Sequence, residues 1–177
     1  MLFRSTNPFG LTDVGSIASP TFVDIDGDGD LDALVGNSAG NTLFYRNTGS
    51  ATNPQFAAPS TNPFGLTNVG SWASPTFVDI DADGDLDALV GNDAGNTLYY
   101  RNTVSATNPQ FATPTTNPFG LTDVGNYASP TLVDIDGDGD LDALVGERYG
   151  NTLFYRNTGS ATNPQFAAPS TNPFSLT

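Results

Sequence analysis

The 177-residue chain repeats itself with few changes every 55 residues. Three full copies occupy residues 5–59, 60–114 and 115–169, and a partial copy at 170–177 begins again and stops. A unit of this size buries little apolar surface alone, so similar copies must pack against one another. The repeat therefore predicts an array of small, equivalent units rather than one irregular domain.

Each unit contains short stretches that favour β-strands. In the first copy they are residues 19–25, 31–36, 41–47 and 55–58, which are rich in β-branched and aromatic residues and bounded by Gly, Asn and Pro. The sequence has no 3.6-residue hydrophobic period, so we predict no amphipathic helix. Four short antiparallel strands in a repeat of this length are typical of a β-propeller blade. We therefore predict an all-β fold, a β-propeller with three four-stranded blades per chain.

Every unit also contains a nine-residue stretch with an aspartate at each odd position, at 24–32, 79–87 and 134–142. Like charges at this density repel unless a cation lies among them. Gly29, at the sixth position of the first stretch, permits the sharp turn that a wrapped loop needs. Flexible loops that offer only oxygen ligands suit Ca²⁺. The pattern predicts one Ca²⁺ per repeat and three per chain.

Other interpretations of the aspartate stretches agree less well with the sequence. Mg²⁺ prefers fewer carboxylates and keeps its waters, and Zn²⁺ prefers the His and Cys that this chain lacks. An EF-hand requires a bidentate Glu at position 12, where this chain has Val35, Val90 and Val145. A metal-free acidic turn does not explain three such loops in register.

Residues 23–36, Val-Asp-Ile-Asp-Gly-Asp-Gly-Asp-Leu-Asp-Ala-Leu-Val-Gly, and the following Leu-Phe-Tyr-Arg-Asn-Thr-Gly at 43–49 resemble the FG-GAP/VCBS repeat family. That family includes the propeller of integrin α-chains and many bacterial surface and secreted proteins. The resemblance implies that the loop joins the first two strands of a blade and binds Ca²⁺. The implied side-chain ligands are Asp24, Asp26, Asp28, Asp32, Asp79, Asp81, Asp83, Asp87, Asp134, Asp136, Asp138 and Asp142, with the carbonyl groups of Asp30, Asp85 and Asp140.

Two departures limit what this resemblance implies. The Phe-Gly and Gly-Ala-Pro signature of integrins is absent, so an integrin-like role does not follow. Propellers of this family usually have seven blades, whereas this chain has three repeats. Three blades are too few to close a ring, and an open end exposes strand edges. We expect a homo-oligomer: two chains giving six blades are favoured, three chains giving nine are possible, and the main alternative is a fragment of a longer propeller.

The ends of the repeats add a complication to closure. Residues 5–12 and 170–177 carry nearly the same sequence, so they would compete for one place at each junction. Ser175 replaces the glycine of the other copies, which indicates a different constraint on the last copy.

Composition narrows the classes of function. The net charge is −14, and most of the 19 acidic residues lie in the three aspartate loops. The basic patch that nucleic acids require is missing, and no apolar run is long enough for membrane insertion. Without His, Cys or Lys the usual nucleophile–base pairs cannot be built, so we expect no enzymatic activity. Weak calcium loops fill best outside the cell, which favours an extracellular or cell-surface location, although the first residues do not form a signal peptide.

The differences between repeats gather at one end of the predicted blade, opposite the aspartate loop. Ile17 is replaced by Trp72 and Tyr127, and the turn after the second strand becomes Glu147-Arg148-Tyr149 in the third repeat. Trp72, Tyr127, Arg148 and Tyr149 are therefore candidates for a ligand-binding face. Simple packing at position 17, and drift at exposed loop tips, are the alternatives. Arg46, Arg101 and Arg156 are expected to have a structural role, through a salt bridge or hydrogen bonds to neighbouring strands and loops.

Two hypotheses for function follow. The first is a calcium-binding β-propeller module with an adhesion-like role, whose ligand is a protein or glycan. The second is an engineered or excised repeat fragment that self-assembles into a propeller and has no ligand beyond calcium, as the near-identity of the copies suggests.

Overall fold

The computed structural model describes residues 7–174 and is built from twelve short strands. The first four are β1 (Ser19–Val23), β2 (Asp32–Gly36), β3 (Thr42–Tyr45) and β4 (Ser60–Thr61). They are followed by β5 (Ser74–Val78), β6 (Asp87–Gly91), β7 (Thr97–Tyr100), β8 (Thr115–Thr116), β9 (Ser129–Val133), β10 (Asp142–Gly146), β11 (Thr152–Tyr155) and β12 (Ser170–Thr171). Short 3-10 turns cover Pro8–Gly10, Pro63–Gly65 and Pro118–Gly120. The described residues contain no α-helix, and no helix among them could cross a membrane.

The strands form three antiparallel sheets of four strands each, in the orders β1-β2-β3-β4, β5-β6-β7-β8 and β9-β10-β11-β12. We call them sheets 1, 2 and 3. The predicted all-β fold with three four-stranded sheets per chain is confirmed. In sheet 1, Val23 pairs with Asp32 and Ser19 pairs with Gly36. The aspartate loop therefore lies at one end of the sheet, and the turn between β2 and β3 lies at the other.

The sequence predicts a fourth strand at residues 55–58, but the structure does not have a strand there. Phe56 makes only an isolated bridge to Asn47, and the ladder resumes where Ser60 and Thr61 pair with Phe44 and Leu43. The register shifts by one residue between these pairings, across Pro59, which has no N–H to donate. Each sheet therefore takes its last strand from the start of the next sequence repeat.

The partial copy at the end of the chain supplies such a strand. Ser170 and Thr171 form β12 and pair with Phe154 and Leu153. The first two residues of the predicted unit 5–59, and the last three of 170–177, including Ser175, lie outside the described residues.

The sheets pack face to face through one repeated contact. The forward face of sheet 1 carries Val23, Leu34 and Phe44, with Ile25 from the loop that follows β1, and it packs on the rear face of sheet 2. That rear face carries Phe77, Ala88, Val90, Leu98 and Tyr100. The corresponding residues join the forward face of sheet 2 to the rear face of sheet 3. The rear face of β2 is covered by Leu11, Val14 and Phe56 of the same repeat, and β6 lies between sheets 1 and 3, so all five residues of each strand are buried.

Glycines permit the close approach of neighbouring sheets. A Cβ atom added to Gly36 or Gly91 would collide with the backbone carbonyl oxygen of Ala73 or Ala128 in the next sheet. At Gly146 in sheet 3 the nearest atom would be the Cβ of Ser129, at 3.9 Å. The same glycine is thus required by packing in the first two sheets but not within sheet 3.

Candidate metal centres and the opposite loop face

The loop between the first two strands of each sheet folds around its first aspartate. In sheet 1 the Asp24 carboxylate accepts hydrogen bonds from the backbone N–H groups of Asp28 (3.1 Å) and Gly29 (3.0 Å). Gly29 has a φ of 93°, in the left-handed region that glycine adopts without strain. The loop therefore turns back on itself and brings alternate carboxylates together.

Three carboxylates of each loop lie close enough to bind one ion, since each contributes an oxygen within 4.8 Å of the others. These clusters occupy the predicted ligand positions 1, 3 and 5 of the loop. They are Asp24, Asp26 and Asp28; Asp79, Asp81 and Asp83; and Asp134, Asp136 and Asp138. Each repeat therefore contains one aspartate cluster that could hold a metal ion. The clusters do not include the predicted seventh-position residues, Asp30, Asp85 and Asp140, or the ninth-position residues, Asp32, Asp87 and Asp142.

The ninth aspartate is buried beneath the cluster, at the start of the second strand. Asp32 is completely buried, and its Oδ1 accepts a 2.7 Å hydrogen bond from the backbone N–H of Asn47. Burial raises the pKa of Asp32 to about 6, the N–H of Asn47 opposes this shift, and the charges of Asp26, Asp28 and Asp30 add to it. Burial likewise raises the pKa of Asp87 to about 6. Among the described residues, no arginine forms an ion pair with either of these two carboxylates.

Several carboxylate oxygens in these loops are both buried and unpartnered. In residues 7–174 the buried side-chain polar atoms without a hydrogen-bond partner are all aspartate oxygens of the loops. They are Oδ1 of Asp26, Asp30, Asp81 and Asp140, and Oδ2 of Asp32 and Asp142. An ionised carboxylate only accepts hydrogen bonds, so burying it without a donor is costly. A cation would satisfy these atoms.

An arginine that directly follows the third strand of each sheet partly balances each cluster. In sheet 1, Nε of Arg46 lies 2.8 Å from Asp26 Oδ2, and its Nη2 lies 3.2 Å from Asp28 Oδ2. Arg101 and Arg156 contact the equivalent aspartates. The expected structural ion pairs are present, and their partners are the loop carboxylates. Because the arginines are more than half exposed, each pair contributes little free energy.

A buried asparagine connects the aspartate loop to the third strand, and the sequence analysis missed this role. Besides its contact with Asp32, Asn47 donates from Nδ2 to the Leu31 carbonyl, and its Oδ1 accepts from the backbone N–H groups of Gly49 and Gln55. Asn102 and Asn157 are buried at the same position. The identity of this residue in all three repeats is the signal that could have indicated the role.

Three of the four ligand-face candidates come together at the end of the sheets opposite the aspartate loops. The rings of Trp72 and Tyr127 have centroids 3.7 Å apart. The Arg148 guanidinium lies 4.8 Å from the Tyr127 ring centroid, and its Nη1 donates a 2.8 Å hydrogen bond to the Tyr127 hydroxyl. Tyr149 is 77% exposed. These three side chains already contact one another. Their contacts therefore also agree with the alternative that the residue at position 17 only fills space.

Position 17 has the same unusual backbone in every repeat. Ile17, Trp72 and Tyr127 have φ values of 56°, 56° and 55°. This left-handed conformation is strained for bulky or β-branched side chains. Neighbouring turns hold it: the N–H of Trp72 donates to the Ser38 carbonyl, and that of Tyr127 donates to the Asp93 carbonyl. A strained conformation held in three copies makes this face a candidate site.

Comparison with known families agrees with the geometry of the loops. The family model described as FG-GAP-like repeat matches residues 24–90 and 79–145, and each match runs from one aspartate loop to the second strand of the next repeat. The chain belongs to the FG-GAP-like repeat family. No curated protein matches the chain significantly in sequence.

The buried ninth carboxylate gives a prediction whose sign depends on the metal. Without a cation, Asp32→Asn removes an unpaired buried charge, so we expect the free energy of unfolding in chelator to rise by about 1 kcal/mol. If Asp32 is the ninth-position ligand that the sequence predicts, the same change in calcium should lower stability. Urea denaturation at neutral pH, with and without chelator, measures both effects.

Asp13→Asn is a matched control, because the second repeat already carries Asn68 there and both side chains accept a hydrogen bond from the glycine two residues on. It should have little effect in either condition. Equal destabilisation by Asp32→Asn with and without calcium would contradict a metal-linked role for this carboxylate.

Proposed function

We propose that the chain is a calcium-binding β-propeller repeat module of extracellular type, in which sheets 1, 2 and 3 are blades. The buried, unpartnered aspartate oxygens around the three clusters are the observation that carries this proposal. The available ligand atoms are all oxygens, and they come from several carboxylates on a flexible loop. Ca²⁺ prefers such a set of ligands. Membership of the FG-GAP-like repeat family supports the same ion.

The proposed ligands in the first loop are the carboxylates at positions 1, 3, 5 and 9 and the Asp30 carbonyl. The other loops use the same positions. Bound calcium supplies the positive charge that Arg46 provides only at the exposed edge of the cluster. Since the loop joins β1 to β2, binding would fix the ends of the two strands. Its proposed role is therefore structural, and no catalytic role is assigned to the site.

Isothermal titration should show three Ca²⁺ ions bound per chain, and the melting temperature should rise with calcium and fall with chelator. Each site stabilises by about 2.7 kcal/mol when calcium is 100-fold above its Kd. Asp26→Asn should reduce the stoichiometry to two, and Mg²⁺ should bind less tightly. Absence of binding heat, with a melting temperature unaffected by chelator, would contradict the proposal.

We further propose that a second copy of the chain completes the ring. Within the chain, forward faces pack on rear faces twice, but the rear face of sheet 1 and the forward face of sheet 3 have no such partner among the described residues. On the rear face Phe22 and Leu31 are 50% and 54% exposed. On the forward face Ile135 is 41% exposed, whereas the equivalent Ile25 and Ile80 are 1% and 2% exposed. These two faces, which lack a neighbouring sheet within the described part of the chain, carry the same kinds of residues as the faces that pack on each other inside the chain.

Two chains joined in this way form two identical contacts and a ring of six blades, which closes without free faces. At each junction between chains, the first residues of one chain and the last residues of the other have nearly the same sequence and would occupy the same place. Phe174 packs on Phe154 with ring centroids 5.2 Å apart, as Phe64 packs on Phe44 at 5.0 Å. Phe9 of a partner would need that same place, so one of the two copies must be displaced when the ring closes.

Gly146→Ala tests the ring without disturbing the inside of the chain. Its added Cβ has space within sheet 3 but would meet the partner's backbone, as at Gly36 and Gly91. In millimolar calcium, light scattering should give a mass of two chains for the native protein and one chain for the variant, with unchanged circular dichroism. Ala58→Thr, a residue that the second repeat already carries as Thr113, is the control and should remain a dimer. A native mass of one chain at every concentration would contradict ring completion.

The end of the blades opposite the metal is the proposed ligand-binding face. Trp72, Tyr127, Arg148 and Tyr149 supply aromatic surface and a guanidinium group, which are common anchors for proteins and can stack on sugar rings. The proposed role is adhesion-like, with a protein or glycan as ligand. The strained backbone at position 17 supports this assignment.

Glycan arrays and pull-down from extracellular protein mixtures would identify a ligand, and Trp72→Ala or Arg148→Ala should reduce binding at least tenfold. Ser38→Asp, at the same turn position in the first repeat, is a control, because the second repeat already carries Asp93. Binding unchanged by both alanine variants would exclude this face. The absence of any ligand, together with clean assembly, would favour a self-assembling repeat fragment whose only ligand is calcium.

A further inference from the structure

The second aspartate loop differs from the others in two ways. Ala82 replaces Gly27 and Gly137 inside the loop, and a tyrosine hydroxyl group reaches its ninth aspartate from the third strand of the sheet. Tyr99 in β7 replaces Phe44 of β3 and Phe154 of β11. Its ring keeps the aromatic contact of the other sheets, with a centroid 5.0 Å from that of Phe119. Its hydroxyl donates a buried 3.0 Å hydrogen bond to Oδ2 of Asp87, the ninth aspartate of the loop. The extra oxygen atom therefore contacts the buried ninth aspartate, which is a proposed ligand outside the three-carboxylate cluster.

That hydrogen bond engages an oxygen that has no partner in the other two loops. In all three loops Oδ1 of the ninth aspartate accepts a 2.7 Å hydrogen bond from a backbone N–H, of Asn47, Asn102 or Asn157. Oδ2 of Asp32 and of Asp142 is buried without a partner, whereas Oδ2 of Asp87 is held by Tyr99. Oδ2 is thus the oxygen left for a cation, and only the second loop provides it with an alternative.

We propose that Tyr99 makes the second site the weakest of three non-equivalent calcium sites and the one least dependent on metal for its order. This inference rests on the proposed calcium-binding function. In the metal-free second loop, the Tyr99 hydroxyl stabilises the buried Asp87 carboxylate. A cation that uses Oδ2 must share or break this hydrogen bond, whereas at Asp32 and Asp142 it satisfies an atom that had no partner. The second site therefore gains less from binding.

The test exchanges the hydroxyl between repeats in the full chain. Tyr99→Phe should tighten calcium binding at the second site about tenfold, the value of one hydrogen bond to a charged group. Phe44→Tyr should weaken the first site by a similar factor, and Phe154→Tyr should do the same at the third. Isothermal titration gives the affinities, and the amide NMR signals of Gly29, Gly84 and Gly139 report which loop fills at each calcium concentration.

Stability in chelator is a second measurement that does not need bound metal. Tyr99→Phe should lower the melting temperature of the metal-free protein, and Phe44→Tyr should raise it, because each changes the number of satisfied buried carboxylates. In the native protein Gly84 should respond at higher calcium than Gly29 and Gly139. Opposite signs for the two exchanges in both measurements support the inference.

The outcomes distinguish this inference from the function on which it depends. If no glycine signal moves and no heat is released, calcium binding itself is wrong. If three ions bind but Tyr99→Phe leaves the second site unchanged, the hydroxyl does not compete with the cation. If Tyr99→Phe weakens that site, the hydroxyl orients Asp87 for the metal, and the proposed order of the sites is overturned.

Discussion

The structure depends on how negative charge is accommodated beneath the aspartate loops. The second strand of each sheet is covered on one or both faces, and its first residue is a buried aspartate. A carboxylate there would ordinarily destabilise the core, because the solvation lost on burial exceeds what one backbone hydrogen bond returns. The loop turns back over that strand and adds further carboxylates nearby. Apolar packing and charge therefore meet at one point, so the stability of each sheet depends on how the negative charge of its loop is balanced.

The sequence predicted the features that recur at a fixed period and missed those set by contacts between residues distant in the chain. The composition of residues 31–36 and the turn residues around them were sufficient to predict the second strand and the loop before it. The fourth strand was misplaced because Gln55–Ala58 and Ser60–Thr61 are equally extended in sequence, and only pairing with Leu43 and Phe44 selects the latter. The role of Asn47 was likewise hidden, since its partner Asp32 is fifteen residues away. Hydrogen bonds over such separations leave no local pattern.

In the candidate ligand face, too, the sequence predicted the location of the residues but not the contacts among them. The divergence of position 17 and of the turn at 147–149 indicated where to look, and the topology alone placed them at the same end of the sheets. The stacking of Trp72, Tyr127 and Arg148 could not be inferred, because it joins residues of two different sheets. Nor does any propensity predict a left-handed backbone at Ile17, Trp72 and Tyr127, since residues of these types avoid it. That conformation is imposed by the neighbouring turn, which accepts or donates the adjoining backbone hydrogen bonds.

Near-identical repeats impose equivalence on packing but not on chemistry. Both internal interfaces must be built from the same faces, so Leu34, Leu89 and the glycines beside them cannot change independently without loss of fit. A residue such as Tyr99 escapes this constraint, because its ring fills the place of phenylalanine and only the hydroxyl is new. That hydroxyl donates to the buried ninth aspartate of the loop, where one additional hydrogen-bond donor changes how the negative charge is stabilised. A repeat protein can therefore distinguish its sites with one atom while the fold, and the fit between its sheets, stay the same.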